Sequence, residues 1–232
     1  MKSCSDYRAQ ARETLDGHWN ETALMALVFM AIMSLFIGIS VYTAVAAEFG
    51  MMMSPQVTMM TDAFNTVASL LLTGPLEFAM LAALLLLKRN KLEESPTGAM
   101  FTCFTGNYGR YVVAMVLETI VLVLLLFPTL GIGTIIFSYA YRMVPYLLHD
   151  YPELSPREAL KLSREMMRGY KWDLFVLDFS FIGWLFLAIL SMGIGMFWLM
   201  PYMYTAGAHF YDDLKDERLE DSEEEVQEVQ SL

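Results

Sequence analysis

Three acids stand inside stretches of chain that are otherwise free of charge: Glu77, Glu118 and Asp178. A carboxylate in hydrocarbon is costly, so each is a candidate for relaying protons or cations, or for pairing with a buried cation. Glu77 follows Gly74-Pro75, which is expected to break the helix and set Glu77 near the start of a new half-helix. Free backbone N–H groups and the positive helix end would favour a carboxylate there. Weighed against a coupling role are a locally capped structural acid and a neutral, protonated one. Glu118 has no such break nearby and needs a partner or a proton. Asp178 and Arg142 each lie about six residues from the ends of their apolar segments, at 1.5 Å per residue a similar depth. An interhelical ion pair between them is expected.

Other chemistry is thinner. Met51, Met52, Met53, Met59 and Met60 are soft thioethers that could hold copper(I), but with 19 methionines in the chain they read as an apolar loop skimming a membrane. Asp150, Asp212 and Asp213 with His149 and His209 could suggest a metal hydrolase. They flank two helix ends, as repeated polar boundary residues would. No nucleophile elbow, phosphate loop, HExxH or dinucleotide fingerprint occurs, and the two cysteines, Cys4 and Cys103, show no CxxC spacing. No metal, cofactor or nucleic-acid partner is expected.

The elements that must position these residues are apolar. Hydrophobic residues make up 56% of the chain and charged residues 18%, against about half and a quarter in soluble domains. Residues 22–47 and 179–208 carry no charge and exceed the roughly 18 residues that suggest a membrane span. Ala44-Val45-Ala46 resembles a signal-peptidase site, but the segment before it is too long for a signal peptide and is read as a retained helix.

All fifteen Lys and Arg fall in four clusters: Lys2, Arg8 and Arg12; Lys88, Arg89, Lys91 and Arg110; Arg142 to Lys171; Lys215 and Arg218. Basic residues mark cytoplasmic loops, so each cluster is placed inside and an even number of crossings must separate neighbours. The expected fold is all-α and polytopic: six transmembrane helices in three hairpins at about 22–47, 64–87, 111–127, 131–148, 173–190 and 194–210, with both termini cytoplasmic. The last two hairpins are short enough to be re-entrant. A four-helix alternative breaks parity and would place Arg157 to Lys171 outside.

Internal repetition supports three hairpins. Gly131-Ile132-Gly133 and Gly193-Ile194-Gly195 are 62 residues apart, as are Asp150 and Asp212. Arg12-Glu13 with Gly17 echoes Arg164-Glu165 with Gly169. Ser155 and Glu158 form a capping box with Pro156 at the first turn, predicting a cytoplasmic amphipathic helix over 156–168. On it Arg157, Lys161, Arg164 and Arg168 form one basic stripe, while Leu160, Ser163 and Met167 share another face. That stripe is expected to meet anionic lipid headgroups. Residues 1–21 form a second amphipathic segment, residues 22–211 the membrane domain, and residues 212–232 an acidic, disordered cytoplasmic tail. Ten of the chain's acids and two bases lie in that tail, so most of the net charge of −11 belongs to it.

The run from Lys161 through Gly169-Tyr170-Lys171-Trp172-Asp173 to Phe175, continuing in Leu177 to Trp184, Gly193-Ile194-Gly195, Pro201-Tyr202 and Phe210 to Leu214, resembles the bacterial integral membrane family catalogued as domain of unknown function 975. Thr73 to Glu77 and Asn107 to Arg110 match more loosely, and the likeness covers most of residues 5–214. Pro128-Thr129-Leu130 departs from the family's usual turn, and the acidic tail is longer. The resemblance implies a bacterial cytoplasmic membrane protein and transfers no catalytic residue. Three roles follow: a non-enzymatic scaffold or accessory protein whose tail meets a soluble partner, a small transporter or channel subunit using the buried acids, or a membrane enzyme.

Overall fold

A computed structural model describes residues 2–49, 54–104, 106 and 108–230, with backbone alone for 47, 48, 55, 103 and 219–230. Met51, Met52 and Met53 lie outside the described residues. Among those described the secondary structure is entirely helical: α1 (Cys4–Leu15), α2 (Trp19–Glu48), α3 (Pro55–Lys88), α4 (Pro96–Phe101) with a 3₁₀ turn, α5 (Tyr108–Leu126), α6 (Ile132–Tyr141), α7 (Val144–Asp150), α8 (Pro156–Met166), α9 (Lys171–Phe179), α10 (Ile182–Leu190) and α11 (Met196–Gln230). Four helical stretches are long and apolar enough to cross a membrane: Trp19–Ala46, Gln56–Lys88, Tyr108–Leu126 and Lys171–Leu190.

The centre of the bundle is α3. Two-thirds of its apolar window is buried, 67%, against 17% for α2 and 11% for α5, so the second half of α3 packs among its neighbours while they turn much of their apolar surface outward. Leu35 (63% exposed), Leu124 (68%) and Phe186 (63%) show that outward surface. Exposed apolar area of this extent suits a lipid solvent.

The break expected from the sequence at Gly74-Pro75 does not occur; α3 runs through Pro75. Proline removes the N–H that would reach the carbonyl of Leu71, four residues back. The Tyr108 hydroxyl of α5 donates to that carbonyl at 3.0 Å, so a neighbouring helix satisfies the freed acceptor. Gly74 serves the same contact. A Cβ there would fall 1.5 Å from the Met115 sulfur of α5, so the glycine's missing side chain lets α3 and α5 close up.

Elsewhere the expected boundaries shift for identifiable reasons. α3 starts before residue 64 because its polar first turns are satisfied by α2: Thr43 donates to Asp62 at 3.0 Å, and Asn65 donates to Ser40 and the Phe36 carbonyl. The helix expected over 131–148 is split at Arg142-Met143, since Pro145 in the first turn of α7 cannot donate to Tyr141. The Ala140 carbonyl at the split accepts instead from Ser163 of α8 at 2.8 Å in a buried bond. The helix expected over 173–190 is likewise interrupted between α9 and α10. Beyond residue 212, where a disordered tail is expected, α11 continues to Gln230, with Leu214 fully buried.

The 62-residue repeat extends to the backbone. Leu130-Gly131 and Met192-Gly193 are both left-handed pairs, with φ of 49° and 84°, and 58° and 89°. Gly131 and Gly193 donate to Leu126 and Ala188, each at 2.9 Å, and Gly133 and Gly195 donate to the hydroxyls of Thr129 and Ser191 at 3.0 and 2.9 Å. A hydroxyl four residues before the second glycine caps the returning helix in each copy. Pro128-Thr129-Leu130 therefore keeps the turn geometry of its counterpart. Gly17 and Gly169, after α1 and α8, also share the left-handed conformation that stops a helix.

Candidate functional site

Glu77, Glu118 and Asp178 converge on Arg142, the cation held at the α6–α7 split. Arg142 lies 5.6 Å from the Tyr204 ring centroid, and the Tyr204 hydroxyl donates to Glu77 Oε1 at 3.1 Å. The Tyr146 hydroxyl donates to the Tyr204 carbonyl at 3.3 Å, tying α7 to α11 beside the cluster. The expected contact ion pair between Arg142 and Asp178 is not formed. The two interact through space, with the Tyr139 hydroxyl beside Asp178. Pro145 explains the difference, because the split it imposes turns Arg142 toward the ring of Tyr204. Glu118 makes no hydrogen bond among the described residues and faces Glu77 and Arg142. One guanidinium thus faces three carboxyl groups contributed by α3, α5 and α9.

A second charged cluster joins the ends of α3 and α7 to the middle of α11. Arg89 donates to Asp150 through Nη1 at 2.6 Å and Nη2 at 2.9 Å, a two-pronged contact that suits its planar fork. It also donates to both oxygens of Asp212, from Nε at 3.3 Å and from Nη2 in a closer contact. Lys88 caps Asp212 at 2.5 Å, while Lys215 at 2.9 Å and the Tyr211 hydroxyl at 3.0 Å complete the shell of Asp150. Only 6% of the Asp150 side chain is exposed. Burial alone would raise its carboxyl, but hydrogen bonds and charge from Arg89 and Lys215 hold it down at about 2. Asp212 is lowered in the same way by Arg89 and Lys88, against burial. Burial lowers His149, on the last turn of α7, which keeps it neutral near pH 7.

Arginines also finish two helices. Arg110 donates to the carbonyls of Leu148, Tyr151 and Leu154 at the end of α7. Arg218 donates to Met166 and Arg168 at the end of α8, over the Tyr170 ring. Orphan carbonyls and the negative helix end account for both. With Lys2 on Asp213 at 2.9 Å and Tyr170 on Glu217 at 2.7 Å, residues 212–218 of the expected tail are bound into the body.

α8 forms as predicted, with Ser155 accepting from Glu158 N and Glu158 accepting from Ser155 N. Its buried face, Ala159, Leu160, Ser163 and Met166, packs on α5, α6 and α7. Arg157, Lys161, Arg164 and Arg168 are exposed on the opposite side. The apolar face is therefore sealed by protein, and the basic stripe is free to meet a surface.

Sequence reasoning missed Arg89 as a site residue, treating it as one charge in a topological cluster. The signal was present: two aspartates at equivalent repeat positions beside helix ends cannot sit together without a shared cation.

Neither a curated protein nor a solved structure matches this chain. The segment from 107 to 218, which holds α5 to α10, both left-handed glycine turns and Asp150 with Asp212, matches the family model described as Protein of unknown function (DUF975), while the first hairpin and Arg89 lie ahead of the match.

Proposed function

We propose that the protein is a non-enzymatic scaffold or accessory protein of the bacterial cytoplasmic membrane, with six membrane segments in three hairpins and both termini in the cytoplasm. One observation carries the reading: Arg89 fastens the ends of α3 and α7 to the middle of α11 through Asp150 and Asp212, and α11 then continues as a helix to Gln230. Charges at the bundle's edge are used in assembly, and the helix they anchor projects the acidic segment of residues 219–228. Such a segment suits a soluble partner with a basic surface. The exposed stripe of Arg157, Lys161, Arg164 and Arg168 would face anionic headgroups, consistent with placing this edge in the cytoplasm.

Truncation after Arg218 tests the scaffold role. Retained thermal stability with loss of the partner crosslinked in intact cells supports it. An unchanged set of crosslinked partners removes the acidic arm from the argument.

A second reading is favoured by the acids around Arg142: a small transporter or channel subunit that couples through Glu77 and Glu118. Its test is ion or proton flux in proteoliposomes. Flux that persists in the Glu77→Gln, Glu118→Gln double variant would leave this reading without a residue to stand on.

A further inference from the structure

A groove of about 440 Å³ runs between α10 and α11 toward α1, within the ~300–1,000 Å³ of ordinary small-molecule sites. Its shape follows from residue size. Ala188, Ser191 and Gly195 make a low floor, where a Cβ on Gly195 would lie 2.9 Å from the Ala188 backbone. Trp19, Trp184 and Trp198 rise around it, and α11 carries the groove from Trp198 to Tyr202, roughly 6 Å at 1.5 Å per residue.

The rim has one charge, Arg12 of α1. Arg12 is exposed and makes no ion pair or hydrogen bond among the described residues. Its neighbours Glu13 and Asp16 line a separate polar cavity with Lys88 and His209, so they leave the Arg12 charge unanswered. α1 is held there firmly: the Tyr202 hydroxyl donates to the Arg8 carbonyl at 3.1 Å, and Arg8 donates to the Ser180 carbonyl at 3.1 Å. Tyr202 in turn stands edge-on to Trp19 and Phe181, with centroids 6.0 and 4.9 Å away. The indole N–H groups of Trp19, Trp184 and Trp198 are also without acceptors among the described residues.

We propose that this groove holds one anionic phospholipid, its phosphate on Arg12, its ester oxygens within reach of the indole donors, and one acyl chain over Ala188 and Gly195. The chemistry chooses the occupant. An apolar trough with a single cation at its rim matches an amphiphile with one apolar chain and an anionic head, and tryptophans favour the zone where the two meet. The inference rests on the membrane placement proposed above.

The test uses the full chain carrying Trp172→Phe, which leaves Trp19, Trp184 and Trp198 as the only indoles. The protein is placed in phosphatidylcholine nanodiscs containing a small fraction of dibrominated phosphatidylglycerol or dibrominated phosphatidylcholine, and tryptophan quenching is read. Quenching by the anionic lipid should exceed that by the zwitterionic one about fivefold, the Boltzmann factor of one cation against an anionic surface. Arg12→Gln should abolish the excess and Arg12→Lys retain most of it, while Arg157→Gln and Arg168→Gln leave it unchanged. Quenching that ignores the headgroup in the unmodified rim, or an excess that survives Arg12→Gln, overturns the lipid site. Absence of quenching even in fully brominated phosphatidylcholine would instead overturn the membrane placement.

Discussion

Replacing Arg89 with Gln should do more damage than neutralising any other single charge in the Asp150–Asp212 cluster. The substitution removes the donors that hold Asp150 and Asp212 together, leaving Asp150 with Lys215 and Tyr211 and Asp212 with Lys88. Removing one partner of a buried ion pair costs about 3–5 kcal/mol. Because each aspartate retains a lysine, the lower end applies, about 3 kcal/mol. The pH dependence gives a second measure. Asp150 is held at about 2 against an ordinary 3.8, a depressed carboxyl whose stabilisation is complete above the ordinary value and lost as pH falls toward 2. That gap is worth about 2 kcal/mol, and the 6% exposure of the side chain leaves little to discount for solvent.

Reversible unfolding in mixed micelles, followed from pH 7 to pH 3, reads both quantities. The penalty of Arg89→Gln should be about 3 kcal/mol down to pH 5 and shrink below pH 4, as the aspartates take up protons in both proteins. Asp212→Asn should cost at least about 1 kcal/mol less in the Arg89→Gln background than alone, since the two share one contact. A penalty under about 1 kcal/mol at pH 7, or one that grows on acidification, would refute the assembly role given to this cluster.

Three further outcomes follow from the backbone. Tyr108→Phe should cost about 1 kcal/mol, and nothing once Pro75→Ala restores an N–H to the Leu71 carbonyl; equal costs in both backgrounds would separate the tyrosine from the proline. Gly74→Ala should destabilise by about 1–3 kcal/mol because the new Cβ occupies the place of the Met115 sulfur, and Met115→Ala should recover part of that loss, both read as melting shifts. Ser163→Ala should lose about 1–2 kcal/mol by leaving the buried Ala140 carbonyl unmet at the α6–α7 split, whereas Ser163→Thr keeps the donor and should lose less.

How much of this was legible in the sequence depends on whether a residue's partner lay near it. α8 was fully readable, because Ser155, Pro156 and Glu158 specify its start within one turn and Gly169 follows its end. The left-handed turns were readable as repeated glycines for the same reason. Pro75 was misread: the sequence shows the missing N–H, but the acceptor is rescued by Tyr108, 33 positions on, and only packing brings them together. Arg142 and Asp178 were correctly placed in one neighbourhood and wrongly joined, since depth along two helices fixes height and leaves rotation open. The tail boundary failed differently. Acid-rich composition argues for solvation, yet Asp212, Asp213 and Glu217 each meet a donor from elsewhere, and Leu214 supplies the apolar contact that composition hides.

The repeat gives these cases a common cause. Positions 88, 150 and 212 are spaced by the same 62 residues and meet in one cluster, as Lys88 at the end of α3, Asp150 at the end of α7 and Asp212 midway along α11. Three like hairpins in one bundle bring equivalent ends together, and equivalent residues with the same charge would repel at close range. The first copy escapes by carrying a base at 88, with Arg89 beside it to bridge the two acids. Lys88, Arg89 and Lys215 then answer Asp150 and Asp212 with one positive charge to spare, on the edge where the exposed bases of α8 also lie. Divergence of the first copy is therefore what lets the other two keep their aspartates, and an acid introduced at 88 should be far less tolerable than an acid at the nearby exposed Lys91: Lys88→Glu should prevent stable assembly where Lys91→Glu leaves the melting temperature nearly unchanged.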